Sequence, residues 1–295
     1  MKKENAGHPV QAAVRAAVTI SDKEFHRLSE FIHTECGIKM PSVKKVMLEA
    51  RLQKRLRALG MSTFSEYCDF LFSPRGIDIE LVHMIDVVTT NKTDFFREPA
   101  HFTYLTGTVL PALIRLHGAG VRKPLSVWSA GCSTGEEPYT LSMVLSEFAR
   151  REVSGFSFFI LATDISTRVL EAAQRGIYSE DRIQPIPQEL RKRYLLRSRD
   201  RSRDLVRIVP ELRERVLFRR LNFMEGDFGM RELVDIVFCR NVLIYFDKET
   251  QEAVLNRFCR HLVPGGYLFL GHSETLNGLD VPLVQTSPTI YRKPR

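Results

Sequence analysis

Long apolar runs and paired cysteines are both missing from this 295-residue sequence. Nowhere do about 18 apolar residues run together, so no membrane-spanning helix is expected. The N-terminal stretch MKKENAGHPVQAAVRAAV starts basic, but Gln11 and Arg15 interrupt its apolar part, unlike a secretory signal. Five cysteines, Cys36, Cys68, Cys132, Cys239 and Cys259, are odd in number and widely spaced, with no Cys-x-x-Cys pair. That excludes the usual zinc and disulfide frameworks, predicts no metal, and suits a reduced, cytoplasmic protein. Phosphate-binding signatures are also lacking: there is no Gly-x-Gly-x-x-Gly, and no Lys-Ser or Lys-Thr follows Gly135.

What is present is a chain with 44% hydrophobic residues, enough for a substantial core, and a formal charge of +8. A positive excess first suggests an anionic partner: nucleic acid, an anionic membrane or an acidic protein. The excess is local. Lys39 to Arg57 carries +6, Arg191 to Arg220 carries +8, and the rest of the chain sums to −6.

Residues 1–20 read as a flexible extension. Ser21 or Asp22 caps a helix with Phe25, Leu28, Phe31 and Ile32 at helical spacing, stopped by Gly37. A second helix, from about Ser42 to Leu59, carries a stripe of Leu48, Leu52, Leu56 and Leu59, and a third covers Thr63 to Phe72. SPRG, Ser73 to Gly76, reads as a break before a further helix from Ile77 to Val88. Beyond it, short β-rich runs (LSVWSAG, SFFILATD, LVDIVFCR, GYLFLGH) alternate with helices, the pattern of βαβ crossovers and a parallel sheet covered on both faces. The last strands, ending near TIYRK, lack a full helix between them and predict an antiparallel closure.

In such sheets ligands sit beyond the C-terminal strand ends. The first strand runs into SAGCSTGEEPY, where Gly131 and Gly135 permit a sharp turn, and Glu136 and Glu137 disfavour a phosphate. An acidic, glycine-containing loop suits a ligand with a positive centre. Asp164, 29 residues after Gly135, ends the second strand. It either caps the helix starting at Ser166 or accepts from both ribose hydroxyls; beside Glu137 the second reading is preferred. Adenosine without phosphate plus a cation describes S-adenosylmethionine.

The segments RLQKRLRALG, TTNKTDFFREPAHF, VWSAGCSTGEEPYTL, ATDIS, FCRNVLIYFDKETQ and GHSETL, spread from Arg51 to Leu276, together resemble the CheR family of chemoreceptor glutamate methyltransferases. The resemblance implies an α/β, doubly wound, Rossmann-like class I methyltransferase fold with a small all-helical N-terminal domain and a small antiparallel β insertion. The implied division is an extension over 1–20, a receptor-docking helical domain over 21–72, a linker helix over 73–90, and a methyltransferase domain over 91–295 with its insertion at about 178–220. It implies an S-adenosylmethionine site of Asn91, Thr93, Arg97, Glu137, Asp164, Asn222, Phe223, Arg240 and Asn241, with Arg97 and Tyr245 holding the acceptor carboxylate. S-Adenosylhomocysteine would be the product.

The implied partner is the cytoplasmic helical domain of chemotaxis receptors, docked on a basic flank of the second helix formed by Lys44, Arg51, Lys54 and Arg55. A small regulatory partner is left open. Some family members bind a receptor's C-terminal peptide on the insertion through closely spaced glycines; here that turn reads SRDRSRD. Nucleic acid is disfavoured, because neither basic cluster is interleaved with stacking aromatics and CRNVLIYF lacks the Asn-Pro-Pro-Tyr character of base methyltransferases. A non-catalytic cofactor-binding adaptor remains the rival of another class.

Overall fold

A computed structural model describes residues 18–200 and 202–295. The expected extension lies outside these except at its end, where Ile20 is buried and its N–H donates to Glu49 Oε2 at 2.9 Å.

Four helices open the chain: α1 (Asp22–Cys36), α2 (Lys45–Leu59, entered through a tight turn at Ser42–Lys44), α3 (Phe64–Leu71) and α4 (Pro74–Val88). Ser21 with Glu24, and Thr63 with Glu66, form reciprocal capping boxes, which satisfy the first free N–H groups of α1 and α3. Leu28, Ile32, Leu48, Leu52, Leu56 and Tyr67 meet in one apolar core. SPRG is not a break. Ser73 accepts from the Gly76 N–H and Pro74 occupies the first turn of α4, where its missing N–H costs nothing.

Two short segments, α5 (Ala100–Tyr104) and α6 (Leu110–His117), lead to β1 (Leu125–Ala130). Then come α7 (Glu136–Arg151), β2 (Phe158–Asp164), α8 (Thr167–Arg175), β3 (Ile177–Ser179), α9 (Gln188–Tyr194), β4 (Leu195–Arg197), β5 (Leu205–Ile208) and α10 (Pro210–Arg213). The chain ends with β6 (Val216–Arg220), β7 (Val234–Cys239), α11 (Lys248–His261), β8 (Leu262–Leu270), β9 (Val284–Ser287) and β10 (Ile290–Arg292).

The main sheet has the order β6-β2-β1-β7-β8-β10-β9; its first five strands are parallel and β10 closes antiparallel on β8. Every residue of β1 and β7 is buried, as strands covered on both faces require. Val127 faces one core and Trp128 the opposite one. A second antiparallel sheet, β3-β5-β4, forms the insertion. It ends earlier than expected: Val216–Arg220 pair in parallel with β2 as an edge strand of the main sheet.

The helical layer is bonded to the sheet layer. Asp86 on α4 accepts from Ser166 Oγ at 2.6 Å and Thr167 Oγ1 at 3.0 Å at the start of α8. His33 meets Asp247 at 2.7 Å, and the Lys39 N–H donates to the Tyr245 carbonyl at 2.8 Å.

Candidate functional site

Strand order reverses at β1, with β2 on one side and β7 on the other, so the loops after β1 and β7 diverge and open a crevice. α1, α2 and the 89–97 segment roof it. The resulting cavity is lined by Asn91, Thr93, Arg97, Glu137, Asp164, Asn222, Phe223, Arg240, Asn241 and Tyr245, so the structure brings together every cofactor and acceptor residue nominated from the sequence.

The floor is made of buried charge. Gly131 and Gly135 take positive φ (83° and 97°), as does Ser133 (49°), and this turn aims the Ser133 N–H at Asp164 Oδ2 at 2.9 Å. Asp164 Oδ1 accepts from the Ser166 N–H at 3.0 Å. The capping and cavity readings of Asp164 therefore coexist: its carboxylate steadies both loops while still lining the cavity. Burial pushes its carboxyl up, against the pull of these N–H bonds. Glu137 accepts from Ser129 Oγ and Arg240 Nε, each at 2.7 Å. Glu136 turns away, onto Thr134 and Arg182.

Arg240, with a side chain 3% exposed, also donates to the Arg97 carbonyl at 2.6 Å and lies 3.6 Å from Glu98 Oε2. Its other neighbour is His101 Nδ1 at 3.4 Å. Burial, reinforced by Arg240, holds His101 down at about 4, so the ring is neutral and accepts that contact.

The rim is looser. Arg97 is half-buried, and among the described residues its guanidinium reaches only the Lys92 carbonyl, at 3.3 Å. Phe96 and Glu98 on either side both take positive φ, 52° and 57°, a conformation that costs about 1–3 kcal/mol per residue. Tyr245 is half-buried, with Lys44 Nζ 5.8 Å from its ring centroid. Asn222 has both ends of its carboxamide engaged, donating to the Glu35 carbonyl at 2.6 Å and accepting from the Met224 N–H at 3.0 Å. Phe223 packs edge-on against Trp128 and Phe258.

The basic flank of α2 is divided. Arg55 forks onto the buried Glu80 carboxylate at 2.8 and 2.7 Å, and Arg51 turns to the Val88 and Thr89 carbonyls and Thr90 Oγ1. Lys54 is exposed and Lys44 half-buried; Lys39 and Arg57 are also exposed, as are Val43 (86%) and Val46 (77%).

Sequence reasoning passed over Ser129 and Ser133, whose polarity inside a buried strand end and glycine loop was the available signal. It also passed over Ile38, Met40 and Met47, which wall the cavity from the helical layer and carry no such signal. All five cysteines are buried and unpaired, and burial pushes the Cys132 and Cys239 thiols up, as suits inert packing groups. No helix among the described residues is long and apolar enough to cross a membrane.

Two family profiles match the chain: "CheR methyltransferase, SAM binding domain" over residues 91–291 and "CheR methyltransferase, all-alpha domain" over residues 23–89. The chemotaxis protein methyltransferase of Borreliella burgdorferi is 39% identical over 276 residues, spanning 94% of this chain and 96% of that protein. Its counterpart from Klebsiella aerogenes is 38% identical over 290 residues, 98% and 95% of the two chains. The Escherichia coli K12 protein of the same name is 36% identical over 274 residues, 93% and 92%.

Proposed function

Because the chain belongs to the CheR family and is an S-adenosylmethionine-dependent methyltransferase, we propose that it esterifies glutamate side chains on the cytoplasmic helices of chemotaxis receptors. The observation that carries this reading is the cavity floor: two buried carboxylates, Glu137 and Asp164, with Arg240 already committed to Glu137. These acceptors suit the hydroxyls of a neutral ribose and a positively charged ligand, and offer a phosphate nothing.

When bound, S-adenosylmethionine supplies a methyl group activated by a positive sulfur. Asp164 would hold the ribose, Glu137 and Asn241 the polar end, Phe223 the base, and Asn91 and Thr93 the near wall. An acceptor glutamate, with an ordinary pKa of about 4.3, is already the nucleophilic carboxylate at neutral pH, so no general base is needed. Arg97 and Tyr245 orient it. Charge disperses as the neutral ester forms, so a tight grip on the carboxylate would oppose the reaction, and the loosely held Arg97 suits orientation better than clamping. The cavity aligns the groups, and the bound receptor segment would shield them from water.

Receptor helices would reach the rim across Lys39, Lys44, Lys54 and Arg57, whose charge complements acidic helices, with Val43 and Val46 giving apolar contact. Helices 21–72 serve as docking domain, 73–90 as the joint, and 91–295 as the catalytic body. The protein would work in the cytoplasm. The test incubates it with methyl-tritiated cofactor and receptor-bearing membranes and collects base-released methanol. Label in the receptor band that base converts to methanol is expected; label in nucleic acid, or none, overturns the reading.

A further inference from the structure

The GHSETL segment does not line the cavity, yet one of its side chains is bonded directly to the loop that builds the site. β7 leaves the sheet at Cys239 and delivers Arg240, Asn241, Val242 and Tyr245 to the cavity. To do so the chain reverses at Asn241, whose φ is 61°, a left-handed conformation without glycine. The turn leaves the successive N–H groups of Asn241, Val242 and Leu243 facing one point, a backbone concavity that attracts an anion.

Glu274 fills it. Its Oε2 accepts from the Asn241 N–H at 2.8 Å and the Gly271 N–H at 2.6 Å, and its Oε1 from the Val242 N–H at 2.9 Å and the Leu243 N–H at 2.8 Å. The residue is 6% exposed. Burial pushes its carboxyl up, but all four contacts are accepting ones and need the carboxylate. Gly271 lets the two loops approach: a Cβ there would lie 2.6 Å from Asn241 Nδ2 and 2.9 Å from the Asn241 backbone nitrogen. Two residues on from Asn241, the same segment becomes the short turn Leu243–Tyr245, so this anchor, together with the Lys39 N–H bond to the Tyr245 carbonyl, sets where the Tyr245 ring stands.

The geometry points to Glu274, seated by Gly271, as the positioning residue of the transfer site: an internal anion that fixes the Asn241–Tyr245 segment and acts on turnover through Tyr245. This rests on the acceptor-orienting role given to Tyr245 above. Glu274→Gln keeps the shape but turns an NH2 group toward two N–H donors, so the segment loosens while the fold persists.

The experiment is a double-mutant cycle on the full chain, measuring kcat with methyl-labelled cofactor and receptor-bearing membranes, and cofactor Kd by calorimetry. Glu274→Gln is expected to lower kcat about 30-fold, in line with a sub-ångström to ångström displacement of a positioned group. Because the same carboxylate fixes the Asn241 N–H, cofactor Kd should weaken as well, but by less than the loss in kcat. In the Tyr245→Phe background the same substitution should cost about threefold or less, because the group it positions is gone. Wild-type kcat in Glu274→Gln, or the full factor retained beside Tyr245→Phe, overturns the proposal. Should Glu274→Gln fail to fold, as read by circular dichroism, Gly271→Ala enters the cycle with the same expected coupling, and additivity there overturns it equally. Wild-type turnover of Tyr245→Phe alone would instead remove the role of Tyr245 on which the proposal stands, a failure visible before Glu274 is touched.

Discussion

The floor and the rim of the cavity are built on opposite principles. On the floor, Glu137, Asp164 and Arg240 are buried, and each is held by protein partners at 2.6–3.0 Å before any ligand arrives. At the rim, Arg97 and Tyr245 are half-buried, and among the described residues Arg97 has a single 3.3 Å contact to a carbonyl. Rigid floors lower the cost of ordering a ligand. On the acceptor role proposed for Arg97 and Tyr245, a rim with spare donors leaves something for the second substrate to complete without neutralising in advance the carboxylate that must react. A two-substrate cavity thus divides into a part made before binding and a part made by it.

The sharpest way to break this contrast is Arg240→Ala, which strands the buried Glu137 carboxylate without a cation. A stability loss of about 3–5 kcal/mol is expected in urea unfolding; a midpoint unchanged from wild type would mean the floor is not held by charge. Next, Asp164→Ala should weaken cofactor binding about 30- to 100-fold in calorimetry, the size of losing charge-assisted hydrogen bonds. Retained affinity would reduce Asp164 to a loop brace between Ser133 and Ser166. Tyr245→Phe is expected to lower kcat about 30-fold with cofactor Kd shifted less than threefold, the opposite split from the floor variants. Loss of cofactor affinity in that variant would erase the division. The smallest effect belongs to Lys54→Glu with Arg57→Glu: KM for receptor membranes should rise about fivefold at low salt and converge on wild type at high salt. A salt-independent change would place the docking surface elsewhere.

Much of the helical layer was legible in advance because its ends are written locally. Ser21 with Glu24 and Thr63 with Glu66 announce capping boxes, and Gly37 and Gly60 stop helices at positive φ. The glycine turn after β1 and the acid ending β2 were readable for the same reason, since a ligand loop needs special backbone and a strand end needs a polar terminus. The family resemblance, the doubly wound fold and the methyltransferase activity are borne out. What escaped depended on partners distant in sequence. VLFRR looks polar and irregular, yet an edge strand is covered on only one flank, and β6 tolerates exposed arginines there. Helical spacing groups Arg55 with the basic flank of α2, but only the fold reveals Glu80 waiting 25 residues later, so a flank expected to be free proves half committed. SPRG misled because proline and glycine punctuate helix starts as readily as they break helices. Glu274 matched a segment but gained meaning only when its carboxylate met three N–H groups some 30 residues away.

The bond between Asp86 and the first turn of α8 bears on protein engineering. A graft of the helical domain from a relative, made to redirect the enzyme to another organism's receptors, would carry the α4 side of that contact but not Ser166 and Thr167. It would also import a new Ile38, Met40 and Met47 wall onto an old cavity floor. With the docking role proposed for it, the helical domain is therefore not an interchangeable cartridge: chimeras joined near residue 90 should keep activity only when the hydroxyl pair opposite Asp86 travels with the graft and the native Ile38, Met40 and Met47 wall is restored.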